Sequence, residues 1–165
     1  MTADAASSAI PHPRLELIAR LTADLAPPIE MGETSAGLRR IIPILGGTVD
    51  GPLLWGEILP GGADWNTWND REQTGSLAAQ YAIRTRDGVV IGVTNTGRHT
   101  IPEPGEPIFT TPVLEAPRGA YDWLNHVALV GSLRPRGEGG TGVFLEFWRA
   151  IVAREHPTHP AEREQ

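Results

Sequence analysis

Short runs of Ile, Val, Leu, Thr and aromatic residues, cut at frequent intervals by Gly, Pro, Asp and Asn, fill the chain between residues 14 and 153. The pattern predicts strands near residues 14–22, 29–33, 38–45, 52–59, 76–85, 89–96, 107–115, 126–133 and 142–152. One segment is ambiguous. In RLELIARLTADL, Leu15, Ile18, Leu21 and Leu25 fit a helical stripe as well as a strand. The sharpest hairpin signal is YAIRTRDGVVIGV, where Asp87-Gly88 is expected to form a type I′ turn and so fix the register of both arms. On the first arm Ala79, Tyr81, Ile83 and Thr85 share one face, with Gln80, Ala82, Arg84 and Arg86 on the other; the Tyr81 face is expected to point inward.

Strands with no amphipathic helices between them argue against parallel βαβ units and for an all-β fold, a single antiparallel β-barrel able to hold an internal cavity. In the last strand Val143, Leu145 and Phe147 face one way and Phe144, Glu146 and Trp148 the other. If one face fills the interior, the bulk on the other needs cover from a tail, a short helix or a second subunit, so a homodimer is compatible with the pattern. Residues 1–13 and 154–165 are small, charged or proline-interrupted, and are expected to be flexible tails flanking a barrel domain at 14–153.

Composition narrows the class. With 165 residues the chain is about one domain long. It has no cysteine, which excludes disulfides and thiolate metal sites and points to a reducing compartment, the cytoplasm by default. A net charge of −6 opposes attraction to phosphate backbones, so nucleic acid is not an expected partner. Nor is a membrane, since no apolar run approaches the roughly 18 residues that span a bilayer. His156 and His159 lie in the proline-broken tail without a third ligand, and His99 and His126 are isolated, so no metal is expected. The glycines of PRGEGGTG lack a strand-turn-helix setting, no Walker lysine follows them, and no Gly-x-Ser-x-Gly elbow exists. No cofactor is expected either.

Three stretches occur in order: GLRRIIPILGGTVDGPLLWGEILPGGADW, YAIRTRDGVVIGVTNTG and FTTPVLEAPRGAYDWLNHVALVG. Together, over roughly residues 15–150, they resemble the bacterial family called domain of unknown function 3237, also known as uncharacterised protein family 0311. The resemblance implies a compact antiparallel barrel that can enclose a small molecule, and brings no catalytic residues with it. Where the family tends to carry an aromatic-Arg-Thr step ahead of a Phe-Glu pair, this chain has Phe109, Thr110 and Thr111, then Leu114 and Glu115. If that arginine holds an anion in relatives, Thr110 cannot, because a hydroxyl is no substitute for a bidentate cation.

Among residues able to carry chemistry, Asp64 follows the Gly61-Gly62 pair at an expected strand end beside Trp65. Its carboxylate either satisfies N–H groups in an Asx-type turn or serves as a general base, with Trp65 shielding it and raising its pKa. Glu57, in LLWGEIL, is an acid/base candidate if it lines a cavity; otherwise it pairs with Arg39, Arg40 or Arg84. Tyr81 offers a phenolic hydrogen bond, Asn95 and Asn125 can orient a carbonyl, Trp123 can edge a lid, and Arg84 and Trp65 are candidate substrate contacts; simple packing, capping or turn roles compete for each.

By elimination, the sequence favours a cofactor-independent enzyme whose barrel binds a largely apolar, carbonyl-bearing molecule for isomerisation, cyclisation or elimination, with Asp64, Glu57 and Tyr81 as acid/base candidates. A barrel that captures a hydrophobic metabolite without turnover, and a purely structural or oligomerisation domain, are the alternatives.

Overall fold

The computed structural model of the chain describes residues 10–137 and 141–153. Ten strands follow one another: β1 (Pro13–Leu25), β2 (Ile29–Thr34), β3 (Gly37–Asp50), β4 (Gly56–Ile58), β5 (Gly62–Asn69), β6 (Thr74–Thr85), β7 (Val90–His99), β8 (Ile108–Glu115), β9 (Leu129–Pro135) and β10 (Gly142–Val152). Among the described residues a single 3₁₀ turn, η1 (Asp122–His126), precedes β9. All pairings are antiparallel. The sheet runs β1-β10-β9-β8-β7-β6, passes through β5 or β4 to β3, and returns to β1, closing an eight-strand barrel. Closure leaves no free edge around the ring.

β3 is the long strand that makes this possible. Its first half pairs with β2 and β5, its second with β1 and β4. The change of partners falls at Gly46 and Gly47, whose φ angles of 146° and 145° turn the strand. A Cβ on Gly47 would strike the Thr22 carbonyl of β1, so only glycine lets the two strands meet there.

The ambiguous first segment is a strand, and a β-bulge explains its helical look. Leu17 pairs with Trp148 and Ala19 with Phe147, leaving Ile18 as an extra residue. The insertion breaks the two-residue period, so Ile18 and Ala19 are both buried. The Ile18 carbonyl accepts the Leu53 N–H at 3.2 Å, holding a loop that drives Leu54 into one end of the barrel. The strand expected over 52–59 therefore shrinks to Gly56–Ile58, and the segment from 126 begins with η1 before β9 starts at Leu129.

The β6–β7 hairpin also corrects its expected turn. A two-residue type I′ loop would pair Arg86 with Val89; instead Arg84 pairs with Val90 and Tyr81 with Val93. Gly88 N–H donates to the Thr85 carbonyl, and of the central residues only Gly88 has positive φ, 88°. This is a type I turn followed by a left-handed glycine. Thr85 enforces it: its hydroxyl donates to Asp87 Oδ1 at 2.6 Å and accepts the Val89 N–H at 2.9 Å. The inward face, Ala79, Tyr81, Ile83 and Thr85, is as the alternation predicted.

Phe147, Ile18, Leu21, Leu54, Ile83, Ile91 and Leu124 are almost fully buried and pack one end of the barrel solid. Each such side chain contributes about 1.5–3 kcal/mol relative to an exposed one. On the outer face of β10, long charged side chains supply cover: the Arg134 guanidinium lies 5.7 Å from the Phe144 ring centre, and Arg20 pairs with Glu146 at 2.9 Å.

Candidate functional site

The other half of the barrel is hollow. A cavity of about 350 Å3 opens there, walled by Leu25, Ile42, Ile44, Ile58, Leu77, Leu133 and Leu145 among other apolar groups, with Arg40, Asp64, Asn66, Tyr81, Asn95 and His99 as its polar members. The sheet register stacks these polar groups in order. At the rim His99 pairs with Gly75; next come Arg40 and Asn66; then Asp64, Ala79 and Asn95 form one row across β5, β6 and β7; below them Tyr81 pairs with Val93. Beneath Tyr81 the next row is Ile83 and Ile91, part of the solid core. With strands about 4.8 Å apart, Asp64 and Asn95 face each other across roughly 10 Å of backbone, with Tyr81 one inward step below.

Asp64 sits inside β5 rather than at a strand end, because the GGADW segment continues as GADWNTWN and pairs with both β3 and β6. Between the Asp64–Ala79 and Thr67–Ser76 pairs the β5–β6 ladder skips two steps, and there Asp64 Oδ1 accepts the Ala78 N–H at 2.8 Å. Burial raises the Asp64 pKa above its ordinary 3.8, against the opposing pull of the Ala78 N–H, the Asn66 side chain and the nearby Arg40 and His99. Arg40 Nε donates to Asn66 Oδ1 at 3.0 Å, so a cation and an amide back the carboxylate. His99 Nδ1 is 2.8 Å from the Thr100 carbonyl, which can only accept, so Nδ1 carries the hydrogen and Nε2 is left with its lone pair when the ring is neutral.

One row deeper, the Tyr81 hydroxyl has no hydrogen-bond partner among the described residues, and in Asp64's own row neither has Asn95 Oδ1. Burial pushes the Tyr81 phenol well above its ordinary value, so it stays a neutral O–H at any working pH. Its ring fits because the facing residue is Gly62, whose Cβ would come within 2.5 Å of the Tyr81 Cβ. Thr110, also buried, has an unpartnered Oγ1 on the inner side of β8.

Asp64, Tyr81 and Asn95 thus converge on one void; the remaining sequence candidates do not. Glu57 lies on the outer face opposite Arg84, and the two form an exposed ion pair at 3.3 Å, since the buried neighbours Leu54 and Ile58 claim the other side of that segment. Trp65 cannot shield Asp64: adjacent strand residues point to opposite faces, and Trp65 stands outside, 42% exposed, with the Arg39 guanidinium 5.7 Å from its ring centre. Asn125 spends its amide on Ala116, accepting its N–H at 2.8 Å and donating to its carbonyl at 2.9 Å. Trp123 stacks under Arg149 at 4.9 Å. Both belong to η1, beside the end of β8 that pairs with the start of β7, far from His99 at the other end of that strand. The sequence missed Arg40, Asn66 and His99 as cavity residues. His99 was within reach, because it continues the Val93, Asn95, Gly97 alternation once β7 is extended.

No helix among the described residues is long and apolar enough to cross a membrane. Residues 13–150 match the family model described as protein of unknown function, DUF3237. UPF0311 protein RPA1785 of Rhodopseudomonas palustris is 37% identical over 126 residues, covering 68% of this chain and 82% of that protein. A beta-barrel like protein from Acinetobacter baumannii superposes with a TM-score of 0.79 at 32% identity, covering 88% of this chain and all of the other. An enzyme from Penicillium herquei superposes with a TM-score of 0.66 at 27% identity, covering 88% and 98% of the two chains. The sequence match, running over the strands that build the cavity, makes this chain a member of the DUF3237 family of β-barrels.

Proposed function

We propose that the barrel is a cofactor-independent enzyme that moves a proton on a largely apolar, carbonyl-bearing small molecule, with Asp64 as the acid/base group of an isomerisation, cyclisation or elimination. One observation carries this: a desolvated carboxyl, one oxygen of which is anchored by the Ala78 N–H, lines a largely aliphatic cavity. Its volume falls within the roughly 300–1,000 Å3 typical of small-molecule sites. A carboxyl with a raised pKa is a stronger base when ionised and a more available acid when protonated, which suits exchange of a proton with carbon next to a carbonyl. Tyr81 O–H, held neutral, stands one row deeper as a hydrogen-bond donor to the bound molecule. The relation to a Penicillium herquei enzyme of the same fold is consistent with turnover in such a barrel.

The test is deuterium uptake from heavy water by a panel of bicyclic ketones led by 2-tetralone, followed by proton NMR. Wild type should accelerate exchange beside the carbonyl, and Asp64→Asn should lower that rate by about 10²-fold or more. Equal rates in the two proteins, or ketone binding without acceleration, would overturn the assignment; the second result would make the barrel a capture module.

A further inference from the structure

We infer that the deep end of the cavity, formed by Tyr81 and Asn95, is a hydroxyl-recognition site, so that the bound molecule carries an alcohol, phenol or enol O–H at that end. This rests on the cavity being a binding site, as proposed above, and adds the chemistry of one end of its ligand.

Two unpaired groups meet here: one oxygen can only accept, and one hydroxyl can donate as well as accept. Asn95 is 1% exposed, lines the cavity and has an Oδ1 that can only accept. The Tyr81 hydroxyl, one inward step away on the neighbouring strand, can donate. A ligand carbonyl would satisfy Tyr81 and leave Asn95 Oδ1 orphaned. An ammonium could donate to both oxygens, but it would leave the Tyr81 hydrogen without an acceptor and bring a charge against an aliphatic wall. A hydroxyl does both: its hydrogen goes to Asn95 Oδ1 and its oxygen accepts from Tyr81 O–H. Buried polar groups without partners are costly, and a fold tolerates two of them side by side where a ligand completes them. The surrounding wall is aliphatic, with Ile44, Ile58 and Ala79 nearby, so the hydroxyl must sit on an apolar body.

Matched probes separate the possibilities. Binding of 2-naphthol and of 2-fluoronaphthalene, similar in size and differing in the O–H, is measured by titration calorimetry on wild type, Tyr81→Phe and Asn95→Leu. Wild type should prefer 2-naphthol by at least about 10-fold, and the preference should fall to within about 2-fold in each variant, because an unmatched buried group is what discriminates. Both variants should melt at or above wild type without ligand, since each removes an unsatisfied polar atom. Should one variant fail to fold, the other decides. Equal affinity of wild type for both probes, persistence of the preference in the folded variants, or loss of apo stability in both overturns the hydroxyl site alone. Absence of binding by either probe overturns the cavity as a binding site as well.

Discussion

Asp64 Oδ1 takes the N–H of Ala78 at 2.8 Å, at a point where the β5–β6 ladder supplies no carbonyl for it. The carboxylate is therefore part of the sheet and part of the cavity at once. Replacement by asparagine keeps an acceptor for that N–H while removing the charge and turning the second oxygen, which faces Asn66, into a donor.

The first prediction concerns pH. The folded pKa of Asp64 lies above 3.8, so the folded chain binds this proton more tightly than the unfolded chain does. Its favourable contribution is complete below about pH 3.8 and is lost as pH rises through the folded value. Wild type and Asp64→Asn should thus melt alike near pH 3, and the variant should gain on wild type as pH rises to 7. Thermal melts across that range check it; a variant that loses ground with rising pH contradicts the desolvated carboxyl.

Asn125 is structural. Its amide satisfies both backbone groups of Ala116 and also meets Asp122 at 3.0 Å. Asn125→Leu should cost about 1–3 kcal/mol in urea unfolding, the penalty for stranding a backbone N–H and C=O, while leaving probe affinity in the cavity unchanged.

The Glu57–Arg84 pair should matter little. Both side chains are at least half exposed, and such pairs contribute about 0–1 kcal/mol. Glu57→Gln is expected to shift unfolding free energy by less than about 0.5 kcal/mol and to leave deuterium exchange intact. A large loss of exchange would move the chemistry to the outer face.

Gly47→Ala tests the corner of β3. With φ at 145° and the Thr22 carbonyl in the path of the new methyl, the variant should lose about 3 kcal/mol or more, measured by chemical denaturation. Gly61→Ala is the control for backbone strain alone, since its φ is also positive but nothing crowds its Cβ position, and it should cost less.

Alternation made most of the barrel legible, and its failures have local causes. The bulge at Ile18 put two buried residues side by side and so imitated a helical stripe in β1. Strand β5 was invisible because GADWNTWN holds no aliphatic residue but Ala63; Trp65, Thr67 and Trp68 suit a strand, but Asp64, Asn66 and Asn69 break the apolar signal, and pairing on both sides holds the segment extended. Missing β5 is what placed Asp64 at a strand end and Trp65 beside it, and what hid Asn66. Asn95 and Tyr81, on the well-marked β6–β7 hairpin, were found. Arg40 was hidden by charge: an arginine on the same face as Ile42 and Ile44 reads as surface until the interior is known to be hollow.

Strand β1 is sealed against β10, with Pro13 opposite Val152 and Arg149 reaching Glu16 at 2.6 Å. The ring is therefore closed by the first and last strands of the barrel, and no shorter stretch of it can complete the seam. During synthesis β1 must wait, one flank unpaired, until β10 has been made, and most of the ordering entropy is spent before that last seam returns any energy. Such a barrel should fold slowly, assemble late, and expose its unfinished edge to other chains in the interval.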